Sequence, residues 1–329
     1  MEYDVFVGTN SVRGSRGIYS LRLFGGRLSP RFAHPAYNAG YLALRGNDLF
    51  AVSEGMTFDG LASGGLVRYA VQPDGRLNET ARIAADGQRP CCVCADGRDA
   101  FVANFYGGLC SAFPYDDTGR LEPPRMTIDE PARPGQPKAL HCVGLLPHGK
   151  LGVVSLSELA LIVYDRVSGA RICHYCPGAG LHPRHFAVSP DGKTVYLLMQ
   201  DPAEVHALEF DGARLVFKAK RRLTDAKLVF GASAVRVSPD GQLVACAVRD
   251  GAQLYLLRAD DLFVQQKLTL PGAVPRDVCF SPDGEFLAAA MQGSDSVCLL
   301  RVSGGAAGEC RTLTGVPSPA SLAIREAVS

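Results

Sequence analysis

A recurring turn restricts this chain more than any other feature. Pro-Asp-Gly stands between apolar runs in HFAVSPDGKTVYLLMQ (185–200), VRVSPDGQLVACAVR (235–249) and VCFSPDGEFLAAAMQ (278–292). Looser copies are CVGLLPHGKLGVVSLS (142–157), CVCADGRDAFVANF (92–105) and the shorter YLALRGNDLFAVSE (41–54). Proline presets the dihedral of the first turn position, aspartate hydrogen-bonds the backbone ahead of it, and glycine accepts positive φ. Each copy therefore predicts a β-hairpin. The turn prolines or their equivalents fall at Ala95, Pro147, Pro190, Pro239 and Pro282, with spacings of 52, 43, 49 and 43 residues. That is the period of a four-stranded propeller blade.

A second apolar pair follows each hairpin, as in GLVRYAVQPDGRL (65–77), LIVYDRVSGARI (161–172) and VHALEFDGARL (205–215). Helical periodicity is sustained nowhere. Six repeats are complete within the sequence. The ends are strand-like as well: YDVFVGT and GIYSLRLFGGRL at the start, SPASLAI at the finish. A seventh blade assembled from both termini would use these strands and remove the edges that an open array exposes. The expectation is an all-β, seven-bladed β-propeller of four-stranded antiparallel blades, forming one domain over residues 1–329. Such a length would suggest two domains in a chain with a single round core, but a ring of small cores escapes that rule.

Charge and cysteines narrow the function classes. A net charge of +1 argues against a nucleic-acid or anionic-membrane binder, so any functional charge is local. The start, MEYDVFVGTN, has neither the basic nor the apolar region of a signal peptide, and no stretch approaches the ~20 apolar residues of a spanning helix. Eleven cysteines sit largely inside apolar runs, such as Cys246, Cys279 and Cys298. They read as small hydrophobes of a reducing compartment, hence a soluble cytoplasmic protein.

The turn also supplies a register. Residues well before and well after it in one hairpin both lie at the opposite end of the blade. Six residues before the turn proline stand Arg89, His141, Arg184, Ser233 and Arg276; ten after it stand Phe105, Ser157, Gln200, Arg249 and Gln292, and the shorter first hairpin ends in Glu54. Four of the five upstream positions are arginine or histidine in a nearly neutral chain. Either these groups converge on one channel mouth, or they are solvated strand ends. If they converge, they suit an anionic small molecule, because guanidinium forks match carboxylate or phosphate.

Other patterns carry less. CHYC (173–176) and CCVC (91–94) lie in different blades and lack the second ligand pair of a structural zinc site, so neither a metal nor a cofactor is expected. His185 starts an inner strand, where packing or orienting is the natural role. His206 and His34 have no constellation in the sequence. The basic run KAKRRLTDAK (218–227) reads as a solvated loop or outer strand. Segments 55–64 and 122–140 are irregular, and either fold over a channel mouth or simply connect blades.

The order of VGTN…GIYSLRL, YLAL…LFAVSE, ADGRDAFVANF, ALHCV, HPRHFAVSPDG, AVRD, VPRDVCFSPDG and VPSPASLAI resembles the lactonase family of seven-bladed propellers over nearly the whole chain. That resemblance implies a hydrolase opening a phosphorylated or acidic sugar lactone, with 6-phosphogluconolactone the default substrate. A lactonizing reaction of the muconate type is a lesser variant, and a non-catalytic propeller binding an anion or a protein partner is the alternative. The family's central histidine falls on His141, and its two arginines on Arg184 and Arg249. Its glutamate position is Gln200, an amide that hydrogen-bonds but accepts no proton, and a usual acidic position is Ala234. His141 and, if it faces the cleft, Glu54 are left as candidate bases. The candidate catalytic set is therefore His141, Arg184, Arg249 and Gln200. Arg89, Arg276, Glu54, Asn104 and Gln292 are candidate substrate contacts.

Overall fold

The computed structural model describes residues 1–131 and 133–328. Seven four-stranded antiparallel sheets stand as blades around an axis. Their innermost strands are Leu42–Arg45, Gln88–Ala95, Leu140–Leu146, Pro183–Val188, Ala232–Val237, Pro275–Phe280 and Pro319–Glu326, each packed against the next around the channel. Helical content among the described residues is two single turns, Asp250–Ala252 and Gln292–Ser294. The last blade takes Pro319–Glu326 from the end of the chain and pairs it with Glu2–Thr9 from the start, with Val5 opposite Ile324. The ring closes as the terminal strands lead one to expect.

The repeated turn has a single physical design. In all three Ser-Pro-Asp-Gly copies the serine carbonyl (189, 238, 281) accepts the glycine N–H (192, 241, 284) at 2.8–2.9 Å. Those glycines sit at φ +74° to +77°, a left-handed region that a side chain disfavours. Each aspartate Oδ1 accepts the N–H two residues on, at 3.0–3.1 Å. The second blade departs from this pattern. There Asp96 N–H bonds Asp99 O directly, whereas Ser189 N–H reaches Thr194 O, so that hairpin is two residues tighter.

Each of six successive inner strands carries one surplus residue. The pairing skips Cys91, His141, Arg184, Ser233, Arg276 and Ala320. A bulge leaves its extra residue out of the ladder and re-aims the side chain, here toward the channel end remote from the Pro-Asp-Gly turns. Between blades the packing is apolar and close. Phe186, 7% exposed, fills the space over Gly144 and Gly152, where an added Cβ would come within 2.7 Å of its ring.

Candidate active site

All of these bulges except that of Ser233, whose Oγ donates to Pro275 O at 2.6 Å, deliver their side chains to a cavity of about 780 Å³ at that channel mouth. His141, Arg184, Arg276 and Cys91 enter its wall from the bulges; Glu54, Gln200 and Arg249 enter from the residue following the second strand of their blades. Those last three are equivalent in the fold, since the backbone N–H of each bonds a carbonyl just before its own inner strand: Asn38, His182 and Gly231.

Arg184 is the most firmly held. Its Nε donates to Ser233 O at 3.0 Å, while Nη1 donates to Gln200 Oε1 at 2.8 Å and to His141 Nε2 at 2.6 Å. A guanidinium is always a donor, so His141 Nε2 must present its lone pair and the ring proton sits on Nδ1. Burial, then the neighbouring His185, Arg276 and Arg249, hold the His141 pKa well below the usual histidine value. His185, edge-on to both His141 and Tyr41, is pulled down to about 3 by burial, then by Arg236 and Arg249. Both imidazoles are neutral at pH 7. Arg249 is tied by its guanidinium to the carbonyls of Gly231 and Phe230.

Both carboxylates of the cavity wall, Glu54 and Asp277, are paired with other arginines. Among the described residues no carboxylate lies in ion-pair range of Arg184, Arg249 or Arg276. Glu54 pairs with Arg89 at 2.6 Å, and Asp277 pairs with Arg236 at 2.9 Å. Burial pulls the Arg276 and Arg249 pKa values down from the usual guanidinium range. Four buried polar atoms on residues of its wall have no partner among the described residues: Arg184 Nη2, Arg276 Nη1, His141 Nδ1 and His185 Nδ1. Leaving such groups unmade costs about 1–3 kcal/mol each, and more for charged ones. A convergent set of them is what an anionic ligand would complete.

Two candidate residues lie elsewhere. Asn104 is fully buried and donates to Ala85 O and Leu109 O, stitching its blade rather than facing the cavity. Gln292 donates to Asn10 Oδ1 at 2.7 Å and is also outside the lining. Arg89 lines the cavity, but not from the position the register gives it. The tighter second-blade hairpin shifts the count by two, so Cys91 holds the bulge, and Arg89 reaches in from upstream at φ +50°, flanked by Phe105 and Tyr106.

Sequence reasoning passes over Tyr41, Arg236, Asp277 and Arg133. The deep ion pair Arg236–Asp277, with Tyr41 Oη at 3.5 Å from Arg236, closes the cavity floor. Its only signal is a charged residue inside each of two apolar inner strands. Of the irregular segments, 122–140 contributes Arg133, Pro134 and Gln136 to the wall. His206, bare in the sequence, is bonded to Glu204 at 2.6 Å and Tyr175 at 2.9 Å, away from the channel. The basic run falls partly on the outer strand Leu215–Arg222. Among the described residues no metal-binding group of His, Cys, Asp and Glu gathers at CHYC or elsewhere.

Comparison with known proteins gives concordant results. The family model described as "Lactonase, 7-bladed beta-propeller" matches residues 4–324. The chain is 28% identical over 326 residues to a 6-phosphogluconolactonase of Bacillus subtilis (strain 168), covering 91% of this chain and 90% of the relative. The periplasmic gluconolactonase of Pseudomonas aeruginosa superposes with a TM-score of 0.89 at 25% identity, over 99% of this chain and 100% of that one. A protein from Lactobacillus plantarum superposes at 0.88 with 22% identity, over 98% and 99%, and shares the fold.

Proposed function

The chain belongs to the lactonase family of seven-bladed β-propellers, lactone-opening hydrolases, and we propose that its own substrate is an anionic sugar lactone, 6-phosphogluconolactone in the first instance. The observation that carries this reading is the set of four unpartnered buried polar atoms on Arg184, Arg276, His141 and His185. Three uncompensated arginines around one cavity match a phosphate or carboxylate and the oxyanion that forms when water attacks the lactone carbonyl. In this reading Arg184, fixed at Nε and Nη1, offers Nη2 to the substrate. His141 offers Nδ1–H as a donor, and Arg276 and Arg249 supply charge that needs no reorganisation. Gln200 acts through Arg184, orienting it without cancelling its charge. The name of the Bacillus subtilis relative supports a phosphorylated substrate, and with it a place in the pentose phosphate pathway. The cysteines, all free thiols, support a reducing cytoplasmic setting.

The test follows 6-phosphogluconolactone and unphosphorylated gluconolactone by NMR, corrected for spontaneous opening. The enzyme is expected to accelerate opening of the phosphorylated lactone with at least tenfold higher kcat/KM, and Arg184→Met to lower that value by 100-fold or more. A wild-type rate equal to the buffer blank for the phosphorylated lactone overturns the reading. The presence of Gln200 where a lactonase would carry a carboxylate favours one rival, a non-catalytic anion binder. Thermal stabilisation by 6-phosphogluconate without turnover is its signature.

A further inference from the structure

A lactonase needs a group that takes a proton from the attacking water, and the two obvious candidates are closed. Gln200 is an amide. His141 has committed its Nε2 lone pair to Arg184, which leaves Nδ1 with a proton and nothing to accept one. Two carboxylates line the cavity, Glu54 and Asp277. Both oxygens of Asp277 are occupied, Oδ1 by Arg236 at 2.9 Å and Oδ2 by Leu322 N–H at 2.9 Å, and the residue is buried at the floor.

Glu54 differs on each point. Arg89 Nη2 occupies Oε1 at 2.6 Å, while Oε2 accepts no hydrogen bond among the described residues. It lies over Gly40, also a wall residue, where a Cβ would come within 2.8 Å of it. Glycine at 40 thus keeps open the space in front of the free oxygen. The backbone is clamped on both sides, because Glu54 N–H donates to Asn38 O at 2.9 Å and Asn38 Nδ2 donates to Glu54 O at 3.0 Å. Glu54 also holds in its blade the place that Gln200 holds three blades on, so the two face one channel from different sides.

We propose that Glu54 is the general base of this site and that Arg89 is its positioning residue. The proposal rests on the lactonase reading of the same cavity. A water oxygen bonds the lactone carbonyl carbon as its proton passes to Glu54 Oε2, and the carbonyl π pair moves onto oxygen beside the arginines. The oxyanion then re-forms the carbonyl, the bond from carbon to ring oxygen breaks, and that oxygen takes the proton back from Glu54. The product is the hydroxy acid, which loses its carboxyl proton to water; no other reactant is consumed.

The experiment measures turnover of 6-phosphogluconolactone at saturation in wild type, Glu54→Gln and Glu54→Ala, with thermal stabilisation by 6-phosphogluconate as a parallel readout of binding. Both variants are expected to turn over about a hundredfold more slowly, or slower still, with product binding kept within a fewfold. Formate is expected to return part of the activity to Glu54→Ala and none to Glu54→Gln. Turnover within threefold of wild type in Glu54→Ala overturns the proposal. So does a loss of activity that formate leaves untouched, or that comes with lost product binding, because Glu54 would then only hold Arg89 in place. An inactive wild type overturns the lactonase reading itself, independently of either variant.

Discussion

Arg184 shows how much of this site is decided by single atoms. Its Nη1 is shared between an imidazole nitrogen and an amide oxygen, neither of which carries negative charge. A carboxylate at 200 would form an ion pair there and spend the guanidinium on the protein instead of on a ligand. Gln200→Glu is therefore expected to raise KM for 6-phosphogluconolactone about tenfold, equivalent to ~1.4 kcal/mol, and to weaken 6-phosphogluconate binding in parallel. An unchanged or lower KM would show that the charge on Arg184 does not hold the substrate. At this scale the sequence was readable wherever the repeat was regular. His141, Arg184 and Arg276 come straight from counting back from a proline. Arg89 needed correction because the Asp96–Asp99 turn is two residues tighter, a difference invisible until the hydrogen bonds are seen. Asn104 and Gln292 misled because a polar residue near a strand end has the same pattern whether it faces a channel or binds neighbouring backbone.

The blade is the element that carries these atoms, and its fit to the next blade sets their positions. The strand Pro183–Val188 presents Arg184 and His185 to the cavity and, one residue further, Phe186 to the preceding blade. Gly144 and Gly152 make room for that ring. Gly152→Ala would overpack the contact, at a cost of about 1–3 kcal/mol, and Phe186→Leu in the same chain should recover part of it. Urea denaturation of the single and double variants measures the coupling; strictly additive effects would mean that the ring and the glycine do not share this space. The hairpins were legible because Pro, Asp and Gly each have one physical job in a turn. The Arg236–Asp277 pair was not, because its two halves belong to different blades and only the ring brings them together.

For the whole molecule, the buried neutral histidines link folding to acidity. His185 has a native pKa of about 3, below the ordinary value near 6.5, and His141 is shifted the same way. As pH falls past 6.5 the unfolded chain takes up protons that the native state refuses, so stability falls with pH. The loss attributable to His185 is complete only near pH 3. His185 contributes about 1.4 kcal/mol per pH unit within that window. Between pH 6.5 and 5, wild type should lose about 2 kcal/mol more than His185→Phe in matched denaturation curves. Equal losses would mean that His185 protonates in the folded state. Closure of the ring by the two termini was readable from leftover strands alone, since a seventh blade was the only arrangement that used both.

The surplus residue in six of the inner strands has a consequence for how such a protein can change. Cys91, His141, Arg184, Ser233, Arg276 and Ala320 occupy the one place per blade that the backbone ladder does not count. At Cys91, His141, Arg184 and Arg276, which line the cavity, a mutation rewrites the lining while the sheet keeps its pairing. The mouth is in effect a set of interchangeable sockets on an indifferent frame. Of these, the small thiol of Cys91 in the cavity wall is where new selectivity could be written first.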